Sequence, residues 1–255
     1  MIAKPSLPVL DRSHPLTKGL GACYPFFERG GTTLHDISGR NNQGTLINMN
    51  PATTWVRTPY GWGLDFNGID DFVNCGNNSS LDIISNKTIS VLAKIPATTN
   101  FQRMISRAGP NVSPWYGYQF IIFNDGKLSY TAGYPSHDWK FSNTRWDDNK
   151  WHLFVIIISN GTLTFYVDGR SDGSVAIGNG STGVYDFKIG QWEGIYLKGT
   201  IAAACIWNRG LTNNQIIQLY TDPWALYRTF PLYTIGKIPP ITTYLRNLAS
   251  MGAGQ

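Results

Sequence analysis

Side chains that move a proton, attack a carbon or hold a metal are scarce in this chain. Its 255 residues include two glutamates, Glu28 and Glu193. Glycoside hydrolysis needs two carboxyl groups across the scissile bond, roughly 5–5.5 Å apart for retention and 6.5–9.5 Å for inversion. Asp70-Asp71 and Asp147-Asp148 are carboxylate pairs, but adjacent residues of a strand point to opposite sides. The sequence has no Gly-x-Ser-x-Gly nucleophile turn, no phosphate-cradling P-loop and no His-Glu-x-x-His motif. His14, His35, His137 and His152 show no metal-ligand spacing. A protein without catalytic residues is expected.

What remains is aromatic chemistry. Trp115, Tyr116, Tyr118, Tyr134, His137, Trp139 and Trp146 crowd around Pro114, Gly117, Gly133 and Pro135. Loops between strands are where rigid scaffolds commonly carry function. Sugar rings stack on Trp and Tyr, and Asn, Asp and His supply hydrogen bonds. The same rings also fill cores and dominate protein interfaces. These seven residues are the candidate ligand-binding set, for a glycan or for a protein surface.

The elements that must position them are almost all strands. Phe120–Phe123 and Lys127–Tyr130 flank Asn124-Asp125-Gly126, and Trp151–Ser159 and Thr162–Val167 flank Asn160-Gly161. Asn-Gly supplies two positive-φ residues for a type I′ turn, and Asp168-Gly169 turns the chain again. Both alternating sets of 151–158 are largely apolar, which predicts a strand buried on both faces. His152, near its start, is expected to be packed and hydrogen-bonded. Thr212-Asn213-Asn214-Gln215 reads as a capping box for one short helix, with Ile216, Leu219 and Tyr220 on one face and Pro223 as its stop. Many short strands and one helix imply an all-β, two-sheet antiparallel jelly-roll sandwich.

The net charge is +5, but the basic residues are scattered, so no nucleic-acid partner is expected. No apolar run is long enough for a membrane span or a signal peptide, so neither membrane insertion nor secretion is expected. The three cysteines, Cys23, Cys75 and Cys205, are spaced for neither a metal knuckle nor a disulfide framework, and are expected as buried free thiols in a reducing compartment. Residues 1–18 and 229–255 are proline-punctuated and read as extended arms on a domain spanning 19–228.

Three blocks resemble the laminin-G-like, concanavalin A-like jelly-roll family. They are Gly19–Glu28 with His35–Leu46, then Gly63–Val73, and then Trp151-His152 with Thr164–Arg170, Lys188–Gly190 and Gly199–Thr212. The resemblance implies the same jelly roll. Relatives that hydrolyse glucans carry Glu-x-Asp-x-x-Glu, which two isolated glutamates cannot form. Some relatives bind calcium; Asp36, Asp70 and Asp71 are the donors a structural calcium would use, or else they cap turns. Where the family has an acidic pair in its last strand, this chain has Ala202 and Ala203. Leu219–Arg228 is similar to the ending of laminin-G-like proteins encoded by tailed phages.

The expected function is a non-enzymatic virion structural protein, a capsid decoration or tail-associated protein, with glycan-binding capacity. Its partners would be other virion proteins, further copies of itself and host-surface glycans. The alternative is a carbohydrate-binding module or adhesin.

Overall fold

A computed structural model describes residues 4, 9–97, 99–110, 116–133, 138–178, 180–181 and 183–227. In chain order the strands are β1 Leu20–Tyr24, β2 Thr33–Leu34, β3 Gly44–Ile47, β4 Trp55–Thr58, β5 Gly61–Asn67, β6 Phe72–Asn74, β7 Lys87–Lys94, β8 Gln102–Ala108 and β9 Gly117–Ile122. There follow β10 Lys127–Ala132, β11 Lys140–Arg145, β12 Trp151–Ser159, β13 Thr162–Val167, β14 Arg170–Ala176, β15 Lys188–Ile189, β16 Gln191–Trp192, β17 Ile195–Tyr196, β18 Lys198–Trp207 and the helix α1, Asn213–Thr221.

Two eight-stranded antiparallel sheets form the sandwich. The first runs β14-β13-β12-β7-β18-β5-β4, with β1 also paired to β18. The second runs β11-β10-β9-β8-β15-β6-β3-β2. Between them lies the main core, which includes Phe66, Phe120, Phe154, Ile156, Phe165 and Ile206.

The opposite face of the first sheet is also covered. Leu153, Val155 and Ile157 of β12 pack there with Trp207, Ile216, Leu219 and Trp224. β12 is thus buried on both faces, as its two apolar sets predict. Helix α1 starts at a complete Thr212/Gln215 capping box and buries Ile216 and Leu219. Tyr220, expected on that face, is 45% exposed. Asn160 and Gly161 adopt φ of 51° and 75° between β12 and β13, as a type I′ turn requires.

The described part of the expected N-terminal arm packs onto this covered face. Leu10 and Leu16 are buried there, and Leu10 bridges to Tyr227. Trp207 Nε1 donates to the Leu16 carbonyl at 2.6 Å, and Arg209 donates to the carbonyls of Pro15 and Lys18. Pro15 opens a short 3-10 turn rather than a strand, and the buried leucines gain by leaving water. The C-terminal arm expected at 229–255 lies outside the described residues.

All three cysteines are free and buried, as expected. Cys23 and Cys205 face each other across β1 and β18.

Candidate functional site

Of the seven aromatic candidates the structure describes Tyr116, Tyr118, Trp139 and Trp146, and it sets Tyr118, Trp139 and Trp146 on different parts of the sandwich. Trp115, Tyr134 and His137 lie outside the described residues. Tyr118 belongs to the core, 1% exposed, with its hydroxyl donating to the Leu81 carbonyl at 3.2 Å. The pleat explains this: Tyr118 shares its parity with Phe120 and Ile122, all inward, while Gln119 and Ile121 face out. Tyr116 precedes β9 and its carbonyl accepts from Gly109 N at 3.0 Å. Trp139 reaches the outer face of the second sheet, where its ring centroid lies 5.6 Å from the Arg103 guanidinium. Trp146 lies beyond the far end of β11 and donates through Nε1 to Asp172.

The outer face of the second sheet holds the densest unassigned chemistry. Beside the hairpin β16–β17 is a pocket of about 330 Å³, with Ser106, Tyr185, Asp186, Lys188, Trp192 and Glu193 among its walls. Its two rings are held from behind. A Cβ added at Gly109 or Gly183 would overlap the Tyr185 ring, so both positions must be glycine for the ring to lie where it does. Trp192 is fixed by a 3.0 Å bond from Nε1 to the Gly109 carbonyl. Ser106 Oγ donates to the Gln191 carbonyl at 2.6 Å, which pins the hairpin to β8. Asp186 accepts from Asn74 Nδ2 at 2.9 Å.

Glu193 occupies the first left-handed position of this hairpin turn, with φ of 50°, followed by Gly194 at 72°. Asn or Asp is the usual non-glycine residue there, so a glutamate carries strain that the turn itself does not explain. The strained position puts an exposed carboxylate at the pocket rim.

Next to the pocket, Arg103 is buried among three rings. Phe101, Trp192 and Trp139 have centroids 4.9, 5.0 and 5.6 Å from the guanidinium carbon. Burial pulls the pKa of Arg103 down to about 10. Nη1 donates to Gln119 Oε1 at 2.7 Å.

A second pocket, about 440 Å³, lies at the edge of the first sheet, with Trp146, Asp168, Arg170, Asp172 and Tyr220 in its lining. Behind it His152 bridges Asp168 Oδ2 at 2.7 Å and Asp148 Oδ1 at 3.1 Å. Burial opposes protonation of His152, but the hydrogen bonds and charges of Asp168 and Asp148 outweigh it and raise the pKa. The packed role expected for this histidine is what the structure shows.

The calcium donors do not fit a metal. Both Asp36 oxygens are committed: Oδ1 accepts from the Cys23 and Ser38 amides, and Oδ2 from Ser38 Oγ and from the amide and side chain of Asn42. Asp70 and Asp71 sit in a turn rather than on a strand, and both accept from Asn67. Among the described residues no group of three or more His, Cys, Asp or Glu is placed to hold a metal.

Sequence reading missed Arg103, Gln119, Tyr185, Trp192 and Glu193. Two signals were present: a glutamate at a turn position that favours Asn, and polar residues at one parity of apolar strands, Gln119 in β9 and Ser129 and Thr131 in β10.

Against known proteins, a family model described as the concanavalin A-like lectin/glucanases superfamily matches residues 67–217. No curated protein sequence matches the chain. Several solved structures share the fold. Domain 4 of an extracellular arabinanase from Geobacillus stearothermophilus, in complex with arabinotriose, superposes with a TM-score of 0.61 at 19% identity, covering 79% of this chain and 98% of that one. The binding domain of Paraclostridial mosquitocidal protein 1 gives 0.64 at 14% identity, covering 80% of this chain and 52% of that one. A Trypanosoma rangeli sialidase in complex with sialic acid gives 0.60 at 14% identity, covering 83% of this chain but 34% of that one. These likenesses establish the fold.

Proposed function

The chain belongs to the concanavalin A-like lectin/glucanase superfamily, and from that premise we propose that it is a non-catalytic glycan-binding protein whose ligand seats on the outer face of the second sheet. The observation that carries this is the pocket in which Tyr185 is laid against two glycines beside a buried Trp192. Two fixed rings with carboxylate, ammonium and hydroxyl groups around them offer a sugar an apolar stacking surface and hydrogen bonds at its edge. The arabinanase domain in complex with arabinotriose supports the reading, because this chain covers nearly all of it.

Hydrolysis is the rival, because Asp186 and Glu193 line one pocket. Asp186 is tied to Asn74, and Glu193 is exposed at a turn tip, so neither has the apolar enclosure that prepares a general acid. The test is a glycan array followed by incubation with the bound sugars. Binding that falls with Tyr185→Ala, and no release of reducing sugar, supports the proposal. Turnover that disappears with Glu193→Gln refutes the non-catalytic part, and no binding refutes the whole.

We extend the proposal to a place: the chain is a structural component of a phage particle, presenting this face to host glycans. The similarity of Leu219–Arg228 to the ending of phage-encoded laminin-G-like proteins supports it. The alternative, a free-standing binding module or adhesin, places the same face elsewhere. Particle proteomics separates the two. A chain truncated after Arg228 should keep its melting temperature yet no longer join particles, if residues 229–255 serve assembly.

A further inference from the structure

Arg103 is the least compensated charge on the binding face. It is 3% exposed, and among the described residues it has no carboxylate partner. Its Nε makes no hydrogen bond, and the same holds for Gln119 Nε2 and Thr131 Oγ1. Buried polar groups almost always find partners, and a buried cation without a counter-charge is costly. The three rings around the guanidinium attract the cation, but they do not satisfy an N–H.

The three unpaired groups are neighbours. Gln119 lies directly opposite Thr131 on β10, and its Oε1 holds Arg103. Arg103 lies opposite Ile121, two residues along β9 from Gln119 and on the same face. The missing group must therefore accept hydrogen bonds from a guanidinium edge, an amide N–H and a hydroxyl, and must carry negative charge. A neutral sugar hydroxyl can accept, but it leaves the cation unbalanced.

We propose that the ligand of this face is an acidic sugar and that its carboxylate is read by Arg103, with Gln119 and Thr131 completing the set. The proposal rests on the glycan-binding reading above and names the ligand class within it. A planar carboxylate matches the guanidinium edge and makes charge-assisted bonds, about twice as strong as neutral ones. Trp192 walls both the pocket and the cage, which sets the pocket and Arg103 side by side. Phe101 and Trp139 are half-exposed, so a swing of either ring opens the guanidinium.

The test titrates the full-length protein with 3′-sialyllactose, its methyl ester and lactose, and with trigalacturonate and its methyl ester. The acids should bind at least tenfold tighter than the esters, with the gap shrinking as salt rises. Arg103→Gln should bind acid and ester alike. Equal binding of acid and ester by the unmodified protein overturns the carboxylate assignment while leaving glycan binding intact, and needs no variant to fold. A tenfold gap that survives in Arg103→Gln overturns the role of Arg103. Failure to bind any of these sugars or any array glycan overturns the glycan-binding reading itself.

Discussion

Gly161→Val isolates one energetic term. Asn160 and Gly161 carry φ of 51° and 75° between β12 and β13. A Cβ at Gly161 would meet nothing nearer than the Ile177 carbonyl oxygen, 3.8 Å away. Crowding therefore adds almost nothing, and the penalty reduces to holding a β-branched residue at positive φ. Such strain costs about 1–3 kcal/mol. In a domain of this size each kcal/mol moves Tm by about 2–4 °C, so the variant should melt about 2–12 °C lower. Gly161→Asn is the internal control, because Asn tolerates the left-handed region and should lose clearly less. Circular-dichroism melts and urea titrations measure both variants, and the urea m-value should not change, since the loss lies in one turn. An unchanged Tm for Val, or equal losses for Val and Asn, would refute the argument that backbone conformation sets the cost.

Three further outcomes follow from named contacts. Gly183→Ala should push the Tyr185 ring out of place and weaken glycan binding without altering any ligand-facing side chain, which isothermal titration will read. Lys87 is 1% exposed over the Tyr118 ring, and burial lowers its pKa to about 7. A lysine charged in the unfolded chain but not in the fold is destabilising, most fully below about pH 7. Lys87→Met should therefore raise Tm, more at pH 6 than at pH 9. His152 has the opposite sign: its raised pKa stabilises the fold below about pH 6.5, and that contribution is lost as pH rises through the folded value. Lys4 and Lys87 push the other way over the same range, so the readout is the difference in Tm between the unmodified protein and His152→Gln, which should shrink as pH rises.

The parts of the fold that were legible in the sequence are those set by local chemistry. Asn160-Gly161 dictates its own turn, Thr212 and Gln215 cap each other, and the two apolar parities of β12 report two packed faces wherever the strand is placed. The candidate site was not legible, because its residues come from distant stretches of chain. Ser106 of β8 holds the Gln191 carbonyl across 85 residues. Conversely, Trp139 and Trp146 look close in sequence but are separated by the six residues of β11, about 20 Å when extended. Tyr118 was lost to parity, because the pleat sends it inward with Phe120.

Scarcity of glutamate and the adjacency of the Asp pairs were grounds for excluding paired acids, yet β15 and the β16–β17 hairpin bring Asp186 and Glu193 to one pocket. Counting residues bounds what a site can contain but does not say which of them meet. Hydrolysis also needs unequal environments, one carboxyl enclosed so that it keeps its proton and one left ionised. Here the glutamate stands exposed at a turn tip, and Arg103 Nε, Gln119 Nε2 and Thr131 Oγ1 are buried on the face without hydrogen-bond partners. An arginine with an amide and a hydroxyl beside it can attract and orient an anion, which is the chemistry the proposed acidic ligand would use.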